Sequence, residues 1–183
     1  MALVHCPVKD KNGETIASAV TNLDLHDIAR AARTYGVKSY YVVTPLLDQQ
    51  ELVRTIIDHW VTGYGATYNP KRREALELLQ VAGTIAETVD RIGNIEGTKP
   101  RLIGTSARHD SRNIGFKELR ERFSDEKPYL LTLGTAWGLT AEFMEDVEYI
   151  LEPVQGAGSY NHLSVRAAAA IILDRLLGRD DIS

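Results

Sequence analysis

Apolar positions along the chain follow two periods in alternation, which is typical of an α/β fold. Short runs of consecutive apolar residues fit buried strands, and longer segments with an apolar residue every three or four positions fit amphipathic helices. The runs typical of strands are residues 2–8, 39–44, 78–82, 101–106, 129–133 and 147–151. The segments typical of helices are residues 24–35, 49–61, 84–95, 116–123 and 163–177, and one more helix begins at Pro70 after a loop at 63–69. Strands joined by helical crossovers predict a mostly parallel six-stranded sheet flanked by helices.

Composition predicts a single globular domain over residues 1–183. A hydrophobic share of 44% and a charged share of 25% are ordinary for a soluble protein. The longest apolar run, residues 167–173, is too short to span a membrane, and the first residues lack the charged start of a signal peptide. The single cysteine, Cys6, leaves no internal disulfide, which fits the cytosol. We therefore expect a cytoplasmic protein without a membrane segment.

The net charge of −4 argues against nucleic-acid binding through the field of the whole protein, but it leaves room for a local basic patch. Tyr64 and Tyr68 precede three basic residues at 71–73, which suits single-stranded RNA but equally suits the charged start of a surface helix. A second basic segment, with Arg108 and Arg112, follows the run at 101–106. The His, Asp and Glu residues show no metal-ligand spacing, so no metal site is expected.

Two glycine-bearing loops follow strand-like runs near the end of the chain, at residues 134–139 and 152–158. In an open α/β sheet small ligands bind at the carboxyl ends of strands, where bare backbone can approach them. A dinucleotide fingerprint fails because Asn161 stands where the third glycine is needed, and no phosphate-loop motif is present. We therefore expect a ligand held between these loops, which we place on adjacent strands, with the loop after residues 101–106 at the same edge.

Two stretches of the chain keep parts of known motifs. Residues 24–37 follow the pattern Asn-x-Gly-Ala-x-x-Arg-Thr-Ala-x-x-x-Gly-Val. Arg30 stays in register, whereas Asp24 replaces the Asn and His26 replaces the Gly. Residues 133–139 keep both ends of Leu-Gly-x-Glu-x-x-Gly-Leu, but they are one residue shorter and lack the Glu.

A third stretch follows a pattern of proline, glycines and then Ser-Leu-Asn-Val-Ser-Val-Ala. Its counterparts are Pro153, Gly156, Ser159, Asn161 and residues 163–165, with one residue inserted. On these three motifs the chain resembles the SPOUT superfamily of knotted, S-adenosylmethionine-dependent RNA methyltransferases, and its SpoU branch in particular. The departures indicate a separate bacterial branch.

This resemblance implies a SPOUT fold with a C-terminal trefoil knot, S-adenosylmethionine as the cofactor, and RNA as the partner. The expected reaction is methyl transfer to a base or ribose of tRNA or rRNA. The motif positions and the neighbouring strand ends are the expected cofactor contacts: Thr105, Ser106, Leu133, Gly134, Thr135, Gly138, Leu139, Leu151, Glu152, Pro153, Gly156, Asn161, His162, Leu163 and Ser164.

Arg30, Asp24 and His162 are the candidates to assist catalysis. Arg30 is the motif arginine in register, although it shares a helix face with His26 and Arg33 that is equally typical of a solvated surface. The imidazole of His162 is a side chain suited to hydrogen bonding or proton transfer, but a lone histidine is more often structural or merely exposed. Ser159 or Asn161 also fits as a cap of the last helix.

Two functions remain open at this point. One is the methyltransferase; the other is a non-catalytic module that keeps the fold and binds RNA or S-adenosylmethionine, which the lost motif residues favour slightly. The motifs leave the RNA, the nucleotide and the acceptor atom open. Related knotted enzymes pair through the last helix, so we also expect a homodimer built on its apolar residues: Val165, Ala168, Ala169, Ile172, Leu173 and Leu176.

Overall fold

A parallel seven-stranded sheet forms the centre of the computed structural model, which describes residues 1–179. The strands, in chain order, are β1 Ala2–Val4, β2 Val8–Lys9, β3 Thr15–Ile16, β4 Tyr40–Val43, β5 Leu79–Ala82, β6 Arg101–Thr105, β7 Asn113–Ile114, β8 Tyr129–Gly134 and β9 Tyr149–Leu151. The sheet order is β5-β4-β1-β8-β6-β9-β7, and β2 and β3 form a separate antiparallel hairpin. The α/β class and the parallel sheet are confirmed.

The expected six strands are corrected to seven in the main sheet. The added strand is β7, which has two residues and is too short to appear as an apolar run. The run at 2–8 is also divided into β1 and β2, because Pro7 between them has no N–H to donate to a sheet ladder.

Helices cover both faces of the sheet. They are α1 Asn22–Thr34, α2 Leu47–Val61, α3 Tyr64–Tyr68, α4 Pro70–Leu76, α5 Ile85–Glu96, α6 Phe116–Arg122, α7 Ala141–Glu145 and α8 Val165–Leu177, with a 3-10 turn at Phe123–Asp125. α3 lies in the segment that was expected to be a loop, residues 63–69, and α7 was not expected. Each has five residues, little more than one turn, so neither produces a readable hydrophobic period.

The two faces have separate cores. On one face α1 lies between α4 and α8, and α6 packs on the far side of α8. The other face is covered by α5, α7 and the β2–β3 hairpin. Strand β4 serves both, because Tyr40 and Val42 point to the first core and Tyr41 and Val43 to the second. Burial on both faces explains why the strands read as unbroken apolar runs.

Because the strands of the main sheet are parallel, their carboxyl ends meet at one edge. The expected adjacency of the strands before the two glycine loops is wrong: β6 lies between β8 and β9 and pairs with both. β6 can do so because each side of a strand carries its own row of N–H and C=O groups. Three loops, after β8, β6 and β9, therefore stand side by side at this edge.

Candidate functional site

The loop after β8 folds back on its own start. A Cβ atom on Gly134 would lie 2.6 Å from the backbone nitrogen of Leu139 and 2.9 Å from the carbonyl carbon of Gly138. The return needs left-handed backbone at Ala136 (φ 51°) and Gly138 (φ 97°). Only glycine fits at position 134, and the turn it permits brings bare backbone to the carboxyl edge.

The N-terminal hairpin fixes this loop from outside. The Lys9 N–H donates to the Gly138 carbonyl at 2.9 Å, and the Trp137 N–H donates to the Lys9 carbonyl at 3.1 Å. Val8 and Leu139 form an antiparallel bridge beside them. The loop after β8 is thus hydrogen-bonded to β2 in the manner of a neighbouring strand. These bonds leave the loop little freedom to move.

A buried polar chain fixes the same loop from inside. The Ser18 hydroxyl lies 2.5 Å from the Thr135 hydroxyl and 3.0 Å from Nδ1 of His5. His5 has no exposed surface, and among the described residues its buried Nε2 has no hydrogen-bond partner. Burial lowers the pKa of His5 to about 4, so the ring is neutral at pH 7. A neutral imidazole therefore anchors the start of the loop.

The loop after β9 is anchored near its two ends. The Glu152 carboxylate accepts the Phe116 N–H at 2.9 Å, which satisfies a free donor at the start of α6. Further along, the Asn161 side-chain amide donates to the Ala107 carbonyl at 3.0 Å, which ties this loop to the loop after β6. The two anchors lie nine residues apart in sequence.

The backbone between those anchors is open. A Cβ on Gly156 or Gly158 would meet no atom within 4 Å, and neither residue has a positive φ. In the described part of the chain, the amides of 154–163 donate no backbone hydrogen bond. Tyr160 is 79% exposed and touches the His162 ring edge-on, with 5.3 Å between ring centroids. This segment can move without breaking any backbone hydrogen bond.

The last helix begins later than its sequence pattern indicates. Ser164 is the N-cap and accepts the Ala167 N–H at 3.3 Å, so α8 starts at Val165. The alternative that Ser159 or Asn161 caps this helix is wrong, because both lie in the open loop ahead of the first turn. The side-chain amide of Asn161 instead donates to the Ala107 carbonyl in the loop after β6.

All residues expected to contact a cofactor lie at the carboxyl edge, at the strand ends or in the three loops. Leu133, Leu139 and Leu151 are almost completely buried, so their side chains belong to the core and only their backbone faces the edge. The Thr105 hydroxyl donates to the Thr132 carbonyl at 2.9 Å, and the Ser106 hydroxyl accepts the Arg108 N–H at 3.0 Å. These two side chains shape the loop after β6.

Asp24 is held by an ion pair that links α1 to α8. Its carboxylate accepts the Thr21 hydroxyl at 2.6 Å and lies 3.3 Å from Nη1 of Arg166, whose Nε is 3.6 Å from Asp27. Asp24 is only 7% exposed, so both partners compensate the cost of burying its charge. Asp24 is therefore engaged in contacts that link the start of α1 to the start of α8.

Arg30 and His162 are both exposed and lie on different elements. Arg30 makes no side-chain hydrogen bond or ion pair within residues 1–179, and among those residues it contacts neither Asp24 nor His162 in this way. The expected shared face of His26, Arg30 and Arg33 is only partly right. His26 is half-buried, with its ring edge-on to Trp60 at 5.4 Å, and burial lowers its pKa.

Sequence reasoning missed three residues of this region: His5, Ser18 and Arg166. His5 and Ser18 lie in the N-terminal segment, far in sequence from the loop that they support. Arg166 had a readable signal, because it replaces the Ala that ends the third motif while Asp24 replaces the Asn of the first. These two departures from the motifs carry opposite charges, and in the structure Asp24 and Arg166 form an ion pair.

A separate cavity of about 480 Å³ opens at the opposite, amino edge of the sheet. Strand starts and the last turns of α5 and α8 line it, including Met1, Tyr41, Ile95 and Leu176. Its wall is mainly apolar and contains no glycine loop. Among residues 1–179, no cluster of His, Cys, Asp and Glu is arranged to hold a metal ion, and no helix is long and apolar enough to cross a membrane.

Comparison with known proteins extends these observations. A family model described as SAM-dependent RNA methyltransferase matches residues 1–178. The chain is 45% identical over 177 residues to a tRNA (guanine-N(1)-)-methyltransferase of Oleidesulfovibrio alaskensis, covering 97% of this chain but only 41% of that protein. It is 40% identical over 181 residues to an uncharacterized protein of Aquifex aeolicus, covering 98% of this chain and 88% of that one.

Solved structures agree on the fold. The SpoU methyltransferase AviRb from Streptomyces viridochromogenes superposes with a TM-score of 0.57 at 21% identity, covering 96% of this chain and 57% of that one. The TrmH/SpoU tRNA modifying enzyme of A. aeolicus gives 0.57 at 15% identity, covering 97% and 73%. At these identities the likeness concerns the arrangement of strands and helices alone.

Proposed function

The chain belongs to the family of S-adenosylmethionine-dependent RNA methyltransferases, and we propose that it binds S-adenosylmethionine at the carboxyl edge of its sheet. The loops after β8, β6 and β9 would hold the cofactor, mostly through backbone. The observation that carries this proposal is the loop 134–139, where Gly134 leaves no room for a Cβ and the turn is fixed before any ligand arrives. The open backbone at Gly156 and Gly158 supports a second wall that closes on the ligand.

The residues of this edge suit a small molecule that carries an adenine, an amino acid and a sulfonium. Backbone N–H and C=O groups at the loops after β8 and β9 offer donors and acceptors to polar groups, and Trp137, which is 59% exposed, offers an aromatic surface. S-adenosylmethionine supplies an already activated methyl group, so the protein chiefly has to align donor and acceptor. In this proposal His162 removes a proton from the RNA atom that receives the methyl group, and Asp24 orients the start of α8.

Arg30 binds an RNA phosphate in this proposal, because its guanidinium is exposed and has no partner within residues 1–179. Arg30→Ala is expected to weaken RNA binding while the fold and the cofactor affinity stay nearly unchanged. Arg33→Ala is the matched control, because Arg33 lies near the Glu74 carboxylate, whose pKa it helps to lower. Equal losses of RNA affinity in the two variants, measured by fluorescence anisotropy, would show that Arg30 has no specific role in RNA binding.

The proposed substrate is tRNA, with rRNA as the alternative. The name of the Oleidesulfovibrio relative supports tRNA, but this chain spans only 41% of its length. The guanine N1 position in that name describes the whole relative, so we do not transfer the acceptor atom. We further propose a cytoplasmic homodimer with a C-terminal trefoil knot. Light scattering at micromolar protein that gives the mass of one chain would contradict the dimer.

Two measurements test the proposed function in sequence. Isothermal titration calorimetry with S-adenosylmethionine is expected to show one binding site per chain. The absence of binding would contradict the proposed cofactor site. Transfer of a radiolabelled methyl group to bulk tRNA or rRNA then separates an enzyme from a binding module. Cofactor binding without any methyl transfer to RNA would support the non-catalytic alternative.

A further inference from the structure

A pair of tyrosines stands out from the surface of the short helix α3. Tyr64 and Tyr68 are 77% and 74% exposed, and their rings are stacked with centroids 6.1 Å apart and planes inclined by 23°. Single exposed aromatic side chains are normal, but two rings stacked side by side form a continuous apolar patch, which is typical of an interaction site. Each presents an open face to solvent on which another flat ring can stack.

Trp60 holds this surface in place. Gly65 lets the chain pass directly against the Trp60 ring, since a Cβ there would be 2.7 Å from a ring carbon. The guanidinium of Arg72 lies over the same ring, 4.6 Å from its centroid. Trp60 therefore fixes α3, which carries the tyrosines, relative to α4, which carries Arg72.

Arg72 is the cation on α4 that no carboxylate neutralises. Its neighbours Lys71 and Arg73 are paired with Glu74 and Glu77, each at 2.9 Å. Arg72 makes no ion pair within residues 1–179, and its Nε is buried without a hydrogen-bond partner. A half-buried guanidinium held on a tryptophan but left without an anion is poised to bind one from outside.

Helix α1 packs against α4 and carries a second cation, Arg30. Arg72 and Arg30 both lie close enough to His26 to add to the lowering of its pKa, which is caused mainly by burial. Arg30 is exposed there and, within the described residues, also lacks a partner. It lies six residues after Asp24, which places it about 9 Å further along α1 from the carboxyl edge. Arg30, Tyr64, Tyr68 and Arg72 together are called the tyrosine–arginine patch below.

We propose that the tyrosine–arginine patch binds a single-stranded segment of the RNA substrate outside the methyl-transfer site, with bases stacked on Tyr64 and Tyr68 and phosphates on Arg72 and Arg30. That the RNA is a substrate rests on the proposed function. Exposed aromatic faces combined with unpaired guanidiniums are the chemistry that recognises unpaired nucleotides. A duplex buries the faces of its bases, so it satisfies the arginines but not the tyrosines. The net charge of −4 makes such a local surface necessary for binding a polyanion.

The test is the affinity of the full chain for a short fluorescein-labelled oligouridine, measured by fluorescence anisotropy. The double variant Tyr64→Ala/Tyr68→Ala is expected to weaken binding by about tenfold or more, from the lost base stacking. The double variant Tyr64→Phe/Tyr68→Phe keeps the ring faces and is expected to bind within about twofold of the wild type. Arg72→Ala is expected to lower the slope of log affinity against log salt by about one.

Lys117→Ala is the control for general charge. Lys117 is an exposed cation on α6, which α8 separates from α1 and α4. The Lys117→Ala variant is expected to change neither the affinity for the oligouridine nor the slope of log affinity against log salt. Thermal melting checks that each variant is folded; the tyrosine variants are expected to melt with the wild type because both side chains are mostly exposed.

Three results would overturn the patch: alanine variants that bind like the wild type, phenylalanine variants that bind as weakly as the alanine variants, or a Lys117→Ala effect as large as that of Arg72→Ala. Calorimetry with S-adenosylmethionine and methyl transfer to bulk tRNA are measured on the same proteins. Stacking-dependent RNA binding without methyl transfer would leave the patch standing and remove the proposed function. Methyl transfer with tyrosine variants that bind RNA normally would remove the patch alone.

Discussion

The loop after β8 and the loop after β9 both carry glycines and both end at the carboxyl edge, but the glycines do different physical work. In the first loop Gly134 removes a Cβ that would collide with backbone, and Gly138 supplies a left-handed turn. In the second, Gly156 and Gly158 stand in open space with ordinary backbone angles. The first loop is bonded to β2 and, through Ser18, to His5, whereas the second is held only near its ends.

From this difference we expect that one wall of the proposed site exists before the ligand binds and that the other wall forms around the ligand. A fixed wall spares the ordering cost of binding, which otherwise falls on each loop that must be immobilised. A movable wall lets the ligand enter and leave. Residues 134–139 are therefore expected to position the ligand, and residues 154–163 are expected to close over it.

The two loops are expected to differ most in how well they tolerate the methyl group of an alanine in place of a glycine. Gly134→Ala is expected to lower the free energy of unfolding by about 3 kcal/mol, because the new Cβ meets backbone that cannot move aside. Gly156→Ala is expected to change that free energy by no more than about 0.5 kcal/mol, because its Cβ meets nothing. Urea denaturation of both variants checks the contrast, and equal stabilities would show that the loops do not differ in this way.

The second effect concerns the buried His5 behind the fixed loop. Its pKa is near 6.5 in an unfolded chain but about 4 in the fold, so the unfolded state takes up a proton first as the pH falls. The free energy of unfolding therefore keeps its full value above the unfolded-state pKa of His5, about 6.5, and decreases as the pH falls from there towards 4. The expected loss between pH 7 and pH 5 is about 2 kcal/mol.

The control for this pH effect is His5→Asn, which cannot titrate. The amine of Met1 and the ring of His26 also have pKa values lowered by burial and contribute with the same sign, but they do so in both proteins. The difference between wild type and His5→Asn should therefore shrink as the pH falls from 7 to 5, as followed by urea denaturation. A difference that stays constant over this range would contradict a neutral, buried His5.

The smallest expected effect tests the far end of the movable loop, where Arg166 pairs with Asp24. Arg166→Ala is expected to destabilise the fold by about 1 kcal/mol or slightly more, because it leaves a nearly buried carboxylate with one partner. Arg122→Ala breaks an exposed pair with Glu118 and is expected to cost no more than about 0.5 kcal/mol. In the double variant Asp24→Asn/Arg166→Ala much of the cost should disappear; simple addition of the two single costs would rule out the pairing.

The sequence was enough to predict the α/β class and the parallel sheet. Strands such as β4 and β8 are short unbroken runs of mostly apolar residues, because they are buried on both faces. Strand β7 and helices α3 and α7 escaped because one turn or two paired residues produce no period. Strand order escaped as well, since the choice between β8 next to β9 and β6 between them depends on pairing that no local pattern encodes.

Site prediction followed the same division. The glycine loops were visible because each follows a strand, and all the expected cofactor contacts do lie at one edge. His5 and Ser18 were not visible, because their role depends on contacts with Thr135 more than one hundred residues away. The link between Asp24 and Arg166 was visible only as two separate departures from motifs, and it needed the packing of α1 on α8 to become one ion pair.

Hydrogen–deuterium exchange with and without S-adenosylmethionine distinguishes a fixed wall from a movable one. The amides of Thr135, Trp137 and Gly138 are already hydrogen-bonded in the free protein, so they should exchange slowly and change little. The amides of 154–163 lack backbone hydrogen bonds and should become protected when the cofactor is saturating. We expect the new protection to be concentrated in that loop. Protection at the amino-edge cavity instead, around Ile95 and Tyr129, would contradict it.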